Sequence, residues 1–253
     1  MPTQQSWWPP PSGPARVIVP LAASDIDQLL GQARMAATSD AELVEWRADA
    51  LTPSLPAATV AVIAKGIADL VAPRPLIFTW RTADEGGKSE NDSAYLDVTQ
   101  TVITAGAAGL VDVQVGHPAA ADVISLARQA SVPVIGSWHS FDEMPSRQAI
   151  VASLAQAEQA GASVAKVAVM PTRPEDVVTL MAATADRADV SGVPLITVAM
   201  GELGVVSRVF GHVFGSQATF ASLGVPSAPG QLALDDLRAY WAALPGSSAQ
   251  ASQ

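Results

Sequence analysis

Lys166 is the residue whose surroundings in the sequence most strongly suggest chemistry, because it interrupts the apolar run SVAKVAV. Burying an ammonium among apolar neighbours is costly, since desolvation disfavours its charged form. We expect burial, with Arg47, Arg81 or Arg208 nearby, to leave the amine uncharged often enough to attack a carbonyl carbon and form an imine. The alternative is that the side chain snorkels to solvent. Lys166 is therefore a candidate nucleophile.

Other polar side chains stand at or just past the ends of several apolar, β-branched runs. His139 follows one such run in SWHS, and unperturbed imidazole is largely neutral at physiological pH, so it can accept a proton. Taken alone, His139 is more often structural, and Glu45 with Arg47 is as often a salt bridge. The positions that share this placement are Glu45, Arg47, Arg81, Glu85, His139, Lys166, Arg208, Ser227 and Gln231.

Short β-branched runs alternate with longer Ala-rich helical patterns. The predicted strands are Arg16–Pro20, Leu43–Arg47, Leu76–Arg81, Leu110–Val115, Pro133–Trp138, Val164–Val169, Leu195–Met200 and Ala218–Ser222. The predicted helices are Asp25–Ala36, Ala57–Leu70, Ala94–Ala107, Ala119–Ala130, Arg147–Gln159, Glu175–Asp189, Leu203–Phe214 and Leu232–Leu244. This alternation predicts an α/β fold, a single-domain (β/α)8 TIM barrel, in which the carboxyl ends of all strands meet at one mouth. An open doubly wound sheet is disfavoured, because LAASDIDQLL replaces the glycine-rich turn after the first strand.

Composition narrows the class of protein. The chain of 253 residues is 49% hydrophobic, which supports a large core, and it contains no cysteine for a disulfide, thiolate or Cys-based metal site. A net charge of −10 makes nucleic acid an unfavourable partner. No secretory signal or membrane-length apolar run is present, so a cytoplasmic protein without a membrane partner is expected. We expect the barrel at residues 15–245, a disordered or loosely docked Pro-rich tail at 1–14 and a disordered tail at 246–253.

Several segments together resemble the type I 3-dehydroquinate dehydratases, the class of dehydroquinase that forms a Schiff base. LVEWRAD at 43–49 and TWRTADEGG at 79–87 are similar to the E-x-R-x-D and T-x-R-x-x-x-E-G-G segments of that family. SWHSF at 137–141 resembles the segment of its catalytic histidine, and AKVAVMP at 165–171 that of its Schiff-base lysine. MGELGVVSR at 200–208 and FGSQATFASLGVPSAPGQ at 214–231 resemble the end of the barrel that closes over substrate.

The resemblance implies dehydration of 3-dehydroquinate to 3-dehydroshikimate in the shikimate or quinate pathway, with no metal or organic cofactor and with a homodimer expected. In that scheme Lys166 forms the imine, His139 moves the proton and Glu85 orients His139. Arg208 takes the substrate carboxylate. The remaining substrate-binding residues implied by the resemblance are Glu45, Arg47, Arg81, Ser227 and Gln231.

Two residues depart from the family pattern. Ser140 follows the histidine where the family usually has Asp or Asn, and Gln114 stands where the fourth strand often ends with an acid. Two other functions stay open. A Schiff-base aldolase on the same fold would share Lys166, although many such enzymes bind sugar phosphates through backbone amides. A catalytically silent sensor of a shikimate-pathway metabolite would have no need of both Lys166 and His139.

Overall fold

A computed structural model describes residues 7–51, 55–88, 93–224 and 226–244 of the chain. Within these ranges, eight parallel strands alternate with eight α-helices. The strands are β1 (Arg16–Leu21), β2 (Leu43–Arg47), β3 (Leu76–Thr79), β4 (Leu110–Gln114), β5 (Val134–Ser140), β6 (Val164–Val169), β7 (Leu195–Ala199) and β8 (Ala218–Ser222). The helices are α1 (Ile26–Thr38), α2 (Ala57–Val71), α3 (Ser93–Thr104), α4 (Ala120–Gln129), α5 (Arg147–Gln159), α6 (Pro174–Ala188), α7 (Val205–Phe210) and α8 (Leu234–Ala242).

The strands close into a barrel. Each strand from β1 to β6 pairs in parallel with the next, and β1 pairs on its other side with β8. The seam between β7 and β8 is held by the Gln217 amide, which donates to the Leu195 carbonyl at 2.7 Å, and by the Thr197 amide, which donates to the Ser216 hydroxyl at 3.0 Å. The predicted (β/α)8 barrel in a single domain is confirmed.

Most element boundaries lie within one to three residues of the prediction, and three differences change the arrangement around the barrel mouth. Strand β5 extends through Ser140, so His139 lies within the strand rather than after it. The predicted helix Leu203–Phe214 divides into α7 and a 3-10 turn (Gly211–Phe214). Gly211 stands at the junction, and glycine has a low helix propensity. The last predicted helix is preceded by a two-residue strand, β9 (Leu232–Ala233), which pairs with β8 and ties the chain leaving the mouth to the barrel.

Apolar residues form two layers. One lies between the strands and the surrounding helices. The other fills the barrel interior, where side chains from alternate positions meet, as a parallel sheet covered on both faces requires. Its branched members are Ile18, Leu43, Ile77, Leu110, Ile135, Val164, Ile196 and Val198. Above this layer the interior becomes polar, and the site begins there.

The expectation of a disordered or loosely docked tail at residues 1–14 needs correction for residues 7–14. Trp8 is buried and joins the interior cluster, and the Arg16 guanidinium lies 4.7 Å from its ring. The Arg16 Nε atom donates to the Pro9 carbonyl at 2.6 Å. Since Arg16 begins β1, the Trp8 indole covers the amino-terminal end of the barrel, where its apolar ring packs against the interior cluster. Residues 1–6 and the predicted tail at 246–253 lie outside the described residues.

Candidate active site

A cavity of about 140 Å³, open to solvent, lies at the carboxyl ends of the strands. All nine residues selected from the sequence line it: Glu45, Arg47, Arg81, Glu85, His139, Lys166, Arg208, Ser227 and Gln231. They come from six different strand ends or the loops that follow them, because the barrel brings those ends together. The structure therefore unites residues that are up to 186 positions apart, the separation of Glu45 and Gln231.

Lys166 is the third residue of β6, and its side chain is 6% exposed. Its Nζ atom lies 3.0 Å from the Asp112 Oδ2 atom and 3.8 Å from the Glu45 Oε1 atom. The ring of Phe220 approaches it from another side at 4.7 Å. The prediction that arginines are the nearest charged groups to Lys166 is therefore wrong, because the charged groups within 4 Å of Nζ are the carboxylates of Asp112 and Glu45. Asp112 comes from β4, two strands from β6 in the barrel, and Glu45 comes from β2, four strands from β6.

Asp112 is the main residue that reasoning from the sequence missed. Its Oδ1 atom accepts from Arg81 Nη2 at 2.6 Å and from the Ser137 hydroxyl at 2.6 Å. Burial raises the pKa of Asp112, but the charges of Arg81 and Lys166 and the hydrogen bonds outweigh it and lower the pKa to about 2. A signal was available: Leu110, Asp112 and Gln114 alternate along β4, so the polar pair shares the face of interior Leu110.

His139 and Glu85 form a pair at the cavity wall. The His139 Nδ1 atom lies 2.8 Å from Glu85 Oε2, which also accepts from Arg81 Nη1 at 3.1 Å. Burial, together with the positive charges of Arg81 and Lys166, holds the pKa of His139 well below its ordinary value. Burial also raises the pKa of Glu85 to about 7, although Arg81 acts against it. The imidazole is therefore neutral at physiological pH and ready to accept a proton.

The turn after β3 positions Glu85. It is a 3-10 turn (Ala83–Glu85) that ends at Gly86, whose φ of 77° favours glycine. A Cβ atom on Gly86 would lie 2.4 Å from the Phe141 ring, which stacks with His139 at 6.3 Å between centroids. Gln114 supports the same turn, since its Oε1 atom accepts from the Thr82 amide and its Nε2 atom donates to the Thr82 hydroxyl, both at 2.8 Å.

The two departures from the family pattern occupy different environments. Gln114 is buried and, besides holding Thr82, hydrogen-bonds the Glu85 carboxyl group, which lowers the pKa of Glu85 against the effect of burial. Ser140 donates to the Glu143 carbonyl at 2.8 Å, on the exposed side of the mouth. Gln114 is thus connected to the cavity pair, whereas the Ser140 hydroxyl bonds away from it.

Arg47 and Glu45 are held by their own partners. Arg47 forms two bonds of 2.8 Å to Asp49, from Nε and from Nη2. Although burial opposes it, this pairing raises the pKa of Arg47. Asp49 also accepts from the Arg81 and Lys88 amides, so it connects β2 to the turn after β3. Glu45 accepts from the Thr79 hydroxyl at 2.9 Å.

Arg208 differs from the other arginines of the cavity. It is buried on α7, and among the described residues no carboxylate forms an ion pair with it. Its Nη1 and Nη2 atoms donate to the Phe220 and Pro229 carbonyls at 3.5 and 3.1 Å, and its Nε atom has no partner in that part of the chain. Burial lowers its pKa to about 10. A buried guanidinium that has no acidic partner among the described residues is chemically suited to binding an anion.

The segment 226–231 covers the cavity beside Arg208. The Gln231 Oε1 atom accepts from the Ser227 amide at 2.9 Å and from its hydroxyl at 3.2 Å. At Gly230, φ is 72°, and a Cβ atom there would lie 2.0 Å from the Gly201 carbonyl oxygen, so only glycine permits this close approach. Ser227 and Gln231 thus line the cavity on the segment whose Pro229 carbonyl accepts from Arg208.

These features define a class: an α/β barrel whose mouth combines a buried lysine, a neutral imidazole and a buried guanidinium that forms no ion pair within the described part of the chain. The pattern is typical of barrel enzymes that act on small carbonyl compounds bearing an acid group. Comparison with known proteins agrees. The family model of type I 3-dehydroquinase matches residues 17–247.

Among the described helices, none combines the length and hydropathy that a membrane crossing needs.

Named relatives and solved structures are similar over most of the chain. The 3-dehydroquinate dehydratase of Enterococcus faecalis is 35% identical over 232 residues, covering 90% of this chain and 92% of the relative. The crystal structure of 3-dehydroquinate dehydratase from Geobacillus kaustophilus superposes with a TM-score of 0.86 at 35% identity, covering 90% of both chains. That of the type I enzyme from Clostridium difficile, with covalently modified comenic acid, gives 0.85 at 28% identity over 91% and 92%. The chain belongs to the type I 3-dehydroquinase family.

Proposed function

We propose that this protein converts 3-dehydroquinate to 3-dehydroshikimate, a hydro-lyase reaction of the shikimate pathway, through an imine on Lys166. The observation that carries the proposal is the shared cavity of Lys166, His139 and Arg208. The hydroxyl that leaves is on the carbon β to a ketone, so a proton must be removed from the carbon between them. A protonated imine on Lys166 supplies the electron sink that a neutral ketone lacks.

His139 is the proposed proton acceptor. Its depressed pKa keeps the ring uncharged, because burial disfavours the imidazolium. When the ring takes the proton, Glu85, at 2.8 Å, stabilises the resulting charge and keeps the ring oriented. The same proton then leaves with the departing hydroxyl as water. Glu85 thus acts on the reaction through His139.

Arg208 is the proposed receptor of the substrate carboxylate, since its guanidinium is buried and lacks an acidic partner among the described residues. Glu45, Arg47 and Arg81 are proposed to bind the ring hydroxyls, because their partners hold them at fixed positions around Lys166. Ser227 and Gln231 are proposed to close over the substrate from the segment 226–231. Closure would remove water from an imine that water can hydrolyse.

Dehydration is favoured over the other two functions that the sequence leaves open. The relatives described above are 3-dehydroquinate dehydratases, which supports dehydration over retro-aldol cleavage. The neutral imidazole beside Lys166 supports catalysis over silent sensing, since binding alone needs no proton acceptor.

The direct experiment mixes purified protein with 3-dehydroquinate and follows the ultraviolet absorbance of the conjugated product. The wild-type protein should produce the absorbance, and the Lys166→Ala variant should lose it. Binding of 3-dehydroquinate without product would favour the sensor. Release of a smaller carbonyl fragment in a retro-aldol assay would favour the aldolase.

We also propose a homodimer that works in the cytoplasm, with residues 15–245 as its catalytic domain. The family resemblance supports the dimer, and a chain without cysteine suits a reducing compartment. Light scattering on the purified protein tests the dimer, and a monomer mass at micromolar concentration would contradict it.

A further inference from the structure

We propose that Asp112 is a further catalytic residue, whose carboxylate is the counter-ion of the iminium cation on the Lys166 nitrogen. The Asp112 Oδ2 atom lies 3.0 Å from Nζ, the atom that would form the bond to substrate. This inference rests on the imine chemistry proposed above for Lys166. It adds a partner to the reacting nitrogen itself, whereas His139 and Glu85 serve the carbon that loses its proton.

The barrel fixes Asp112 against this nitrogen. Asp112 lies on β4, Ser137 on β5 and Lys166 on β6, three adjacent strands, and Ser137 pairs directly with Lys166 in the register. From β5, the Ser137 hydroxyl holds the Asp112 carboxylate on β4 by donating to its Oδ1 atom at 2.6 Å. Because hydrogen-bonded strands rather than a loop hold the carboxylate, it stays in place while the substrate arrives.

Asp112 is the carboxylate best suited to a permanent charge at this position. Arg81, at 2.6 Å from its other oxygen, keeps it ionised although it is almost fully buried. Glu45 is farther from Nζ, at 3.8 Å. Glu85 has His139 as its partner, and burial raises the pKa of Glu85 to about 7, so its charge varies near neutral pH.

The charges and atoms of the imine step suit a fixed anion. Counted from the ammonium form of Lys166, Nζ bonds to the ketone carbon and the carbon–oxygen bond breaks. Two of the three Nζ protons leave with that oxygen as water, and the third stays on the iminium nitrogen. One cation replaces another on the same atom, so Asp112 faces a positive charge on Nζ both before and after the imine step. A bare cation in this buried position would be strongly disfavoured.

The next step moves the charge, and Arg81 connects its two locations. Proton removal by His139 turns the iminium into a neutral enamine and places the positive charge on the imidazole beside Glu85. Arg81 contacts Asp112 through Nη2 and Glu85 through Nη1. Asp112 therefore retains a cation when the nitrogen is neutral, and neither Asp112 nor Glu85 is left without a cationic partner at this stage. Loss of the hydroxyl then restores the iminium next to Asp112.

The test compares the rate at which borohydride traps the imine in wild type and in Asp112→Asn, at saturating 3-dehydroquinate. Asparagine keeps the shape but removes the charge, so trapping and kcat should both fall roughly 10- to 100-fold, as expected for loss of a buried charged hydrogen bond. If Asp112 served only to orient Arg81 for binding, KM would rise while trapping at saturation stayed at the wild-type rate. That result would overturn the proposal.

The matched control is Glu42→Gln. Glu42 is also a buried acid in an arginine network, with Arg238 at 3.1 Å, but it lies outside the cavity lining. Its variant should trap the imine at the wild-type rate. Circular dichroism must show that each variant is folded. If the Asn variant does not fold, Asp112→Glu replaces it, because this variant retains the charge and should still be trapped. A folded Glu variant without any adduct would contradict the role of the charge.

If the wild-type protein itself gives no adduct, the imine proposal for Lys166 fails. If the wild type is trapped and Asp112→Asn is trapped equally fast, only the counter-ion role fails. The two failures are therefore distinguishable within one experiment.

Discussion

Replacing Arg208 by Met should stabilise the free protein and impair substrate binding. Burial lowers the pKa of Arg208 from 12.5 to about 10 in the folded protein. The folded protein therefore binds this proton less tightly than the unfolded chain does. Below about pH 10 the whole free-energy difference between the two pKa values destabilises the folded state. At 1.36 kcal/mol per pKa unit, the destabilisation is about 3 kcal/mol.

Removing the buried charge relieves this destabilisation, but other losses offset part of the stability that the Arg208→Met variant gains. Methionine removes the bonds from Arg208 to the Phe220 and Pro229 carbonyls, each worth about 1 kcal/mol. The net rise in the free energy of unfolding should be about 1–2 kcal/mol, or about 2–8 °C in Tm for a chain of this size. The substrate carboxylate loses its guanidinium, which should raise KM by at least about 30-fold, from a loss of about 2 kcal/mol or more.

Thermal unfolding and steady-state kinetics of the same preparations measure both effects. Arg238→Met is the matched control, because Arg238 is also largely buried but pairs with Asp40 at 3.0 Å and with Glu42 at 3.1 Å. That variant should lose stability and keep its KM, since it leaves buried Glu42 without its cation. A lower Tm for Arg208→Met, or an unchanged KM, would refute the interpretation of Arg208 as an unpaired anion receptor.

Three further predictions concern other parts of the molecule. His139→Ala should still give a borohydride adduct on mass spectrometry but turn over at least about 100-fold more slowly, and near-native kcat would remove His139 from its role. Burial raises the pKa of Glu85 to about 7, and its charged form stabilises protonated His139, so wild-type kcat/KM should rise with pH through an apparent value near 7. The pH profile of Glu85→Gln should lack that rise; its persistence would assign the titration to another group. Trp8→Ala should lower the free energy of unfolding by about 3 kcal/mol in urea titrations and leave kcat unchanged, unless Trp8 contributes nothing to the barrel interior.

The sequence was sufficient for most of the fold. The β-branched runs are buried on both faces in a parallel barrel, so they appear as continuous apolar segments between helical patterns. Strands such as Leu43–Arg47 and Val164–Val169 have the predicted bounds in the structure. The main deviations lie at chain ends and at the mouth, where strand β5 runs on through Ser140 and β9 precedes the last helix.

The cavity was predictable because its residues follow strand ends, and strand ends of a parallel barrel converge. Its pairings were not, since they depend on contacts between strands. Asp112 in LVDVQ lies amid apolar residues, and only the register brings it beside Lys166 rather than leaving that amine among arginines. Docking of Trp8 is likewise a long-range contact, because the sequence of a proline-rich tail does not indicate which surface it covers.

Sodium borohydride reduction during turnover, followed by peptide mass spectrometry, tests the imine on Lys166 most directly. The wild-type protein should gain the mass of the reduced substrate adduct on the peptide that contains Lys166, and Lys166→Ala should gain none. An active protein with no adduct, or with the added mass on another lysine, would contradict imine catalysis by Lys166.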